Sequence, residues 1–313
     1  MMSNSRAPIT LFVFNRPWHT RQTVEALQNN ALAKESELFI FSDGPKSDDD
    51  RKAVREVREY LRTITGFKSV SRIERADNLG LAHSIISGVT EIVNRFGCII
   101  VLEDDIVTSP HFLKFMNEAL SRYENEERVM HVAGYMFPID ASNIPETFFY
   151  RGSSCWGWGT WRRAWNKFEP DPAKLIKIIT DRKLKYEFNF LGSINYLGML
   201  KYQAKSRVDS WAIRWYASVF LNQGLCLHPA QSLVQNIGHD SGGVHCDKSD
   251  AFNVNLKNGQ ITYFETLIEE NNEALNRLQQ YFESITPTLY EKLTRKSKEL
   301  LSPIGRFFLK KTL

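Results

Sequence analysis

Apolar residues follow two rhythms along the first third of the chain. Ile9–Phe14 (interrupted only by Thr10), Leu38–Phe41 and Cys98–Leu102 are short apolar runs, and a weaker one lies near Val70–Arg75. Runs of this length suit strands buried on both faces of a parallel sheet. Between them the spacing turns helical. Pro17 opens one segment carrying Val24 and Leu27. Val54, Val57, Leu61 and Ile64 mark a second, which begins at Asp48, Asp49 and Asp50. Ile85, Val89, Ile92 and Phe96 mark a third. The order β-α-β-α-β-α-β predicts a parallel sheet with right-handed crossovers. Beyond Pro110, Phe112, Phe115, Ala119 and Tyr123 predict another helix. From Val129 to about Asp250 the pattern is irregular, aromatic and glycine-rich, and Ile261–Phe282 predicts a last amphipathic helix with Leu275, Leu278 and Phe282 inward.

The third apolar run leads straight into Glu103, Asp104 and Asp105. Ionised carboxylates are too costly to bury unpaired, so they should emerge at the carboxyl end of that strand, where open α/β sheets bind ligands. Hard oxygen donors there suit Mg²⁺ or Mn²⁺ held together with substrate phosphates. A solvated acidic turn leading to a helix is the plainer alternative.

Composition changes this picture little. With 42% hydrophobic and 24% charged residues, the 313-residue chain can bury a large core. Its four cysteines have neither metal-site nor disulfide spacing, so reduced thiols are expected. Neither a secretory leader nor a membrane span is evident. Net charge is +4, but Lys292–Leu313 holds seven basic residues and one acid, which leaves the body at −2. The basic pI therefore describes a tail and gives no reason to expect nucleic acid.

Several polar and aromatic residues have two readings each. Arg16, after the first strand, suits a diphosphate or a surface loop. Asp43, after the second, suits a base N–H or a turn before Gly44-Pro45. His83, in the first turn of a helix, suits a phosphate or a structural role. Trp156 and Trp158, set among glycines, suit a sugar ring or a core, and Trp165 suits a core. Asp209, between apolar and aromatic neighbours, suits a general base or a helix cap. The glycine-rich stretch Asn236–His245, carrying His239 and His245, suits a lid over phosphates or metal, or a surface loop.

Taken in sequence, these motifs resemble the N-acetylglucosaminyltransferase family that initiates complex N-glycans, which has the GT-A fold. The likeness runs from Ile9 to about Asp250. The strand, acids, proline and Phe-rich helix of that family read here as Val101–Ile106 and Ser109–Phe115. Its donor-phosphate arginine matches Arg16, its uracil-binding aspartate Asp43, and its Ala-Arg-His helix start Leu81-Ala82-His83. Tyr150-Arg151, Gly157-Trp158, Ala164-Trp165 and Glu169-Pro170 follow in the family's order. Two departures stand out. The family's Trp-Asp-Asp-Trp segment reads Val208-Asp209-Ser210-Trp211, and its serine-bearing phosphate loop reads Gly243-Val244-His245-Cys246, without a serine.

The resemblance implies a Rossmann-like, mostly parallel sheet with flanking helices. Residues 1–108 would form a nucleotide-sugar-binding half and 109–258 the acceptor-binding, catalytic half of the same domain, with 259–313 a helical, basic tail. It implies an inverting, metal-dependent hexosyl- or N-acetylhexosaminyltransferase using a UDP-sugar. Arg16, Asp43, His83, Glu103, Asp104, Asp105 and His245 would bind the donor. Asp105 and His239 would hold Mn²⁺ or Mg²⁺, Trp156 and Trp158 would shape the sugar site, and Asp209 would be the base. The membrane anchor of the eukaryotic enzymes has no counterpart here, which implies a cytoplasmic relative acting on a capsule or lipopolysaccharide precursor. That acceptor would be a glycan or lipid-linked glycan, and the tail would rest on an anionic membrane surface. A nucleotidyltransferase would share the sheet and acids, but it usually opens with a glycine-rich loop and a lysine that Ile9–Pro17 lacks. A lectin-like, nucleotide-sugar-binding protein without transfer activity would keep the aromatics.

Overall fold

A computed structural model describes residues 6–238 and 250–285. In chain order the first part runs β1 (Ile9–Val13), α1 (Pro17–Gln28), β2 (Glu37–Ser42), α2 (Asp50–Thr63), β3 (Ser69–Glu74), α3 (Leu81–Phe96) and β4 (Cys98–Glu103). The second part runs β5 (Ile106–Thr108), α4 (Phe112–Arg122), β6 (Val129–Ala133), β7 (Thr147–Tyr150), β8 (Trp158–Trp161), α5 (Arg162–Trp165), α6 (Pro172–Asp181), α7 (Lys185–Phe188), α8 (Tyr196–Ala204), α9 (Trp211–Leu221), β9 (Leu225–Pro229), β10 (Val234–Asn236) and α10 (Asn272–Ile285).

Eight strands form one sheet in the order β3-β2-β1-β4-β8-β6-β9-β7, while β5 and β10 make a separate antiparallel pair. β3, β2, β1 and β4 are mutually parallel, whereas β8 runs antiparallel to both β4 and β6. This is the mostly parallel, helix-flanked α/β sheet that the sequence implied. Strand alternation sorts the core onto its two faces. Ile9, Leu11, Val13, Ile100 and Leu102 pack with Val24 and Leu27 of α1 and Phe112 and Phe115 of α4. Phe12, Ile99 and Val101 pack with Ile85, Val89 and Ile92 of α3 and with Trp211 and Trp215 of α9. Residue 88 of α3 must be glycine, because a Cβ there would come within 2.7 Å of the Phe12 ring.

One expectation needs correction. The helix expected from Ile261 begins only at Asn272. The preceding segment is tied down in extended form, with Glu146 accepting from the Thr262 and Tyr263 N–H groups and Asn271 N–H donating to Phe149 O. Such side-chain and edge contacts leave no trace in apolar spacing. The basic tail, the 243–246 segment, His239 and His245 lie outside the described residues.

Candidate active site at the carboxyl ends of β1 and β4

Parallel pairing of β1 with β4 brings Phe12 level with Glu103, so both strands end together. Arg16 follows β1 at the cap position of α1, where its carbonyl accepts the Thr20 N–H. Asp104 and Asp105 follow β4 in the turn into β5. Arg16 Nη1 lies 2.8 Å from Asp105 Oδ2 and 3.5 Å from Asp104 Oδ1. The Thr23 hydroxyl donates to Asp104 O at 2.8 Å, and the Phe14 N–H donates to the Asp104 carboxylate. The acidic turn is thus fixed from α1 and from the end of β1.

Residues more than a hundred positions away close the other side. Ile237 N–H donates to Asp105 O at 2.9 Å, and β10 pairs with β5. Gly238 comes so close that a Cβ there would lie 2.2 Å from Asp105 Oδ2 and 2.9 Å from Arg16 Nη2. Trp211, at the start of α9, donates a side-chain hydrogen bond to Glu103. Ser210 caps that helix by accepting from the Ile213 N–H. Asp209 precedes it and stands beside Gly80, where a Cβ would meet Asp209 Oδ2 at 3.4 Å.

Charge in this cluster is out of balance, with three carboxylates around one guanidinium. Burial, then the charges of Asp105 and Asp104, hold the Glu103 carboxyl well above the usual carboxylate range. Burial and the Asp105 charge push Asp104 up to about 7, and Arg16 offsets only part of this. The sign follows from proton linkage. An acid whose folded pKa is raised binds more protons folded than unfolded between its ordinary 3.8 and about 7. Its ionisation therefore costs stability as pH rises through that window. Wild type is expected to gain stability relative to Asp104→Asn as pH falls from about 7.5 to about 5. Paired denaturant titrations at several pH values measure this, and a pH-independent difference would show that Asp104 ionises in the ordinary range.

The remaining sequence-selected residues fall in different places. Asp43 is buried and accepts from the Leu79 and Gly80 N–H groups, with Arg75 Nη1 at 3.7 Å. In this structure Asp43 therefore shapes the turn into α3, a partnership 36 residues distant that no local pattern carries. His83 is exposed on the first turn of α3. Asp209 lacks the apolar enclosure expected for it, since its side chain is 57% exposed and 3.8 Å from Arg214 Nη2. Trp156 is half-buried, edge-on to Tyr135 at 4.5 Å and to Phe252 at 5.8 Å. Trp158 is fully buried, stacked on Trp211 at 5.1 Å and His131 at 5.3 Å. It cannot present a face to a sugar, which corrects the expectation for that residue, and Trp165 is core as expected. Trp211 and Gly238 were missed as site residues. The repeated proximity of Trp211 to an acid and of glycine to an Asn-Ile strand end were the available signals.

Among the described residues, no trio of His, Cys, Asp or Glu side chains converges as a metal cage. The all-oxygen donor set and its excess negative charge nevertheless fit a hard divalent cation completed by phosphate oxygens.

No known family's sequence profile matches the chain, and no curated protein does. Among solved structures, it is similar to the mannosyltransferase PcManGT from Pyrobaculum calidifontis, in complex with GDP-Man and Mn²⁺. Identity is 10% over 70% of this chain and 75% of that one, with a TM-score of 0.38. It is also similar to a nucleotide-diphospho-sugar transferase from Desulfovibrio desulfuricans G20, at 13% identity over 54% and 67% of the two chains and a TM-score of 0.35. A cytidylyltransferase from Leptospira borgpetersenii shows 10% identity over 53% and 64%, with a TM-score of 0.32. Likeness at this level says nothing of substrate.

Proposed function

We infer that the protein is an inverting, metal-dependent glycosyltransferase that moves a sugar from a UDP-sugar to a hydroxyl of a surface-glycan precursor. One observation carries this reading: Arg16 and the Glu103–Asp105 acids gather at the carboxyl ends of β1 and β4, and Trp211, two residues after Asp209, donates to Glu103. Open α/β sheets bind nucleotides at that edge.

Arg16 is placed to take up diphosphate oxygens, with its guanidinium already oriented by Asp104 and Asp105. Asp105, with Asp104 beside it, would hold Mn²⁺ or Mg²⁺. A bound divalent ion would supply Lewis-acid neutralisation of the leaving diphosphate. His83 lies exposed at the positive end of α3, where phosphate is favoured. Asp43 fixes the turn at that same helix end. Asp209 is exposed just before α9, beside Gly80, and in this reading it accepts the proton of an acceptor hydroxyl as that oxygen bonds to the anomeric carbon. The bond from that carbon to the diphosphate breaks as the new one forms, UDP leaves with the electron pair, and a single displacement inverts the centre.

Incubation with a panel of UDP-sugars, Mn²⁺ and glycan acceptors should release UDP and glycosylate the acceptor. Formation of pyrophosphate from a nucleoside triphosphate and a sugar phosphate would replace this reading with nucleotidyl transfer. Binding without turnover would make the protein a nucleotide-sugar-binding module. Asp209→Asn is expected to lower kcat by about a hundredfold or more while leaving UDP affinity unchanged. An equal loss of UDP affinity would move Asp209 into the donor site. For a lipid-linked acceptor, the Lys292–Leu313 tail would place the enzyme on an anionic membrane surface. Among the described residues, no helix is long and apolar enough to cross a membrane.

A further inference from the structure

α6, α7 and α8 form a helical lobe whose inner side packs on α9 through Leu175, Ile179, Phe188, Leu197 and Leu200. Its outer side has an unusual make-up. Residues 172–207 contain eight basic side chains, all exposed, against Asp181 and Glu187, a net charge of +6. Lys174 and Lys177 pair with Glu169 and Asp181. Arg182, Lys183, Lys185, Lys201, Lys205 and Arg207 form no salt bridge among the described residues.

Large apolar side chains stand among these cations. Tyr186 is 60% exposed, Tyr202 52%, Met199 47% and Leu191 40%. Met199 and Tyr202 are one turn apart on α8, so they share a face. The loop between α7 and α8 is strained as well. Phe190 and Leu191 have φ of 52° and 53°, followed by Gly192 at 87°. Left-handed backbone is unfavourable for a leucine and persists only where the surroundings impose it. Here Phe190 is anchored against Phe282 at 5.2 Å, and the turn that follows leaves Leu191 projecting outward. The turn closes the end of α7 through Gly192 N–H to Tyr186 O and Phe190 N–H to Glu187 O, and it leaves Leu191 on the outer surface.

We propose that this lobe is a docking surface for an anionic lipid leaflet, with the cations over the headgroups and Leu191, Tyr186, Met199 and Tyr202 in the interface. Cations without salt-bridge partners, interleaved with aromatic and aliphatic side chains and with Arg207 stacked 5.9 Å over the Tyr202 ring, match the charge and layering of such a surface. A soluble polyanion satisfies the charge alone and leaves the aliphatic residues in water. The lobe ends at Arg207, two residues before Asp209. This proposal requires no particular reaction and is independent of the 292–313 tail.

The test uses the full chain carrying Leu191→Cys labelled with an environment-sensitive fluorophore, with the labelled parent as control for Cys155. Emission is expected to shift to the blue with vesicles containing about one-third phosphatidylglycerol, but not with phosphatidylcholine alone. Reversing Lys183, Lys185, Lys201 and Lys205 to Glu should weaken vesicle partition by at least about tenfold while leaving the thermal unfolding midpoint in the absence of vesicles unchanged. Vesicle binding without a shift at position 191 would assign docking to another part of the chain and overturn the proposal. An equal shift with dextran sulfate, or one that grows with protein concentration alone, would also overturn it, in favour of an anionic glycan or a second copy of the chain. Neither reading of UDP release bears on these outcomes.

Discussion

Asp105→Asn is expected to lose transfer activity by about a hundredfold to a thousandfold at saturating Mn²⁺ while the fold survives. The two halves of this expectation have separate causes. In the proposed mechanism Asp105 would be the direct protein ligand of the cation, and it takes the shorter of the two Arg16 contacts, at 2.8 Å. An amide keeps its shape but neither charge nor cation affinity. Removing one partner of a buried pair usually destabilises strongly. Here the loss is offset, because the Asp105 charge also raises the pKa of Glu103 and Asp104. Neutralising it relieves two buried acids and leaves Arg16 paired with Asp104. The unfolding free energy should therefore change by no more than about 1 kcal/mol. Steady-state UDP release and calorimetry together decide the matter. Near-wild-type turnover would remove Asp105 from the chemistry, and a large loss of stability would make it structural.

Trp158→Ala should have the largest effect on stability, at about 3–5 kcal/mol. Trp158 is fully buried in β8, level with Val101 of β4, and its ring is stacked between Trp211 and His131. Its truncation opens a cavity at the junction of the two halves of the sheet. Surrounding rings such as Trp165 and Trp215 are too large and too mutually packed to collapse into it. The indole N–H has no hydrogen-bond partner among the described residues, so packing rather than hydrogen bonding supplies the stabilisation. Denaturant unfolding measures the loss. A change below about 1 kcal/mol would mean that the tryptophan cluster repacks freely.

The contrast between Trp158 and Asp43 shows which parts of this molecule could be read from the chain. Elements defined by local spacing were legible: the four parallel strands, the helices between them, and the emergence of the acids after β4. These depend on period-two and period-3.6 patterns that the backbone imposes on any sequence. Trp158 sat in a glycine-flanked aromatic block whose composition fits a sugar platform and a core equally well. Only the pairing of β8 with β4 assigns it to the interior. Asp43 lay before Gly44-Pro45, yet its carboxylate is engaged by a turn far along the chain. The Trp211–Glu103 contact and the approach of Gly238 to Asp105 were unreadable for the same reason, because both join segments more than a hundred residues apart.

The edge of β4 opposite β1 carries a consequence for the order in which the molecule is made. β4 pairs with β8, a strand that ends at Trp161, and the acidic turn is held by Leu233 and Ile237 through Ser109 N and Asp105 O. While the ribosome has delivered only the first hundred or so residues, all three acids and Arg16 exist, but one side of β4 lacks its ladder and the turn lacks its clasp. The nascent amino-terminal half therefore presents an open apolar edge and an unclasped acidic turn. The candidate site is assembled late in synthesis, after the chain that shields the sheet is already in place.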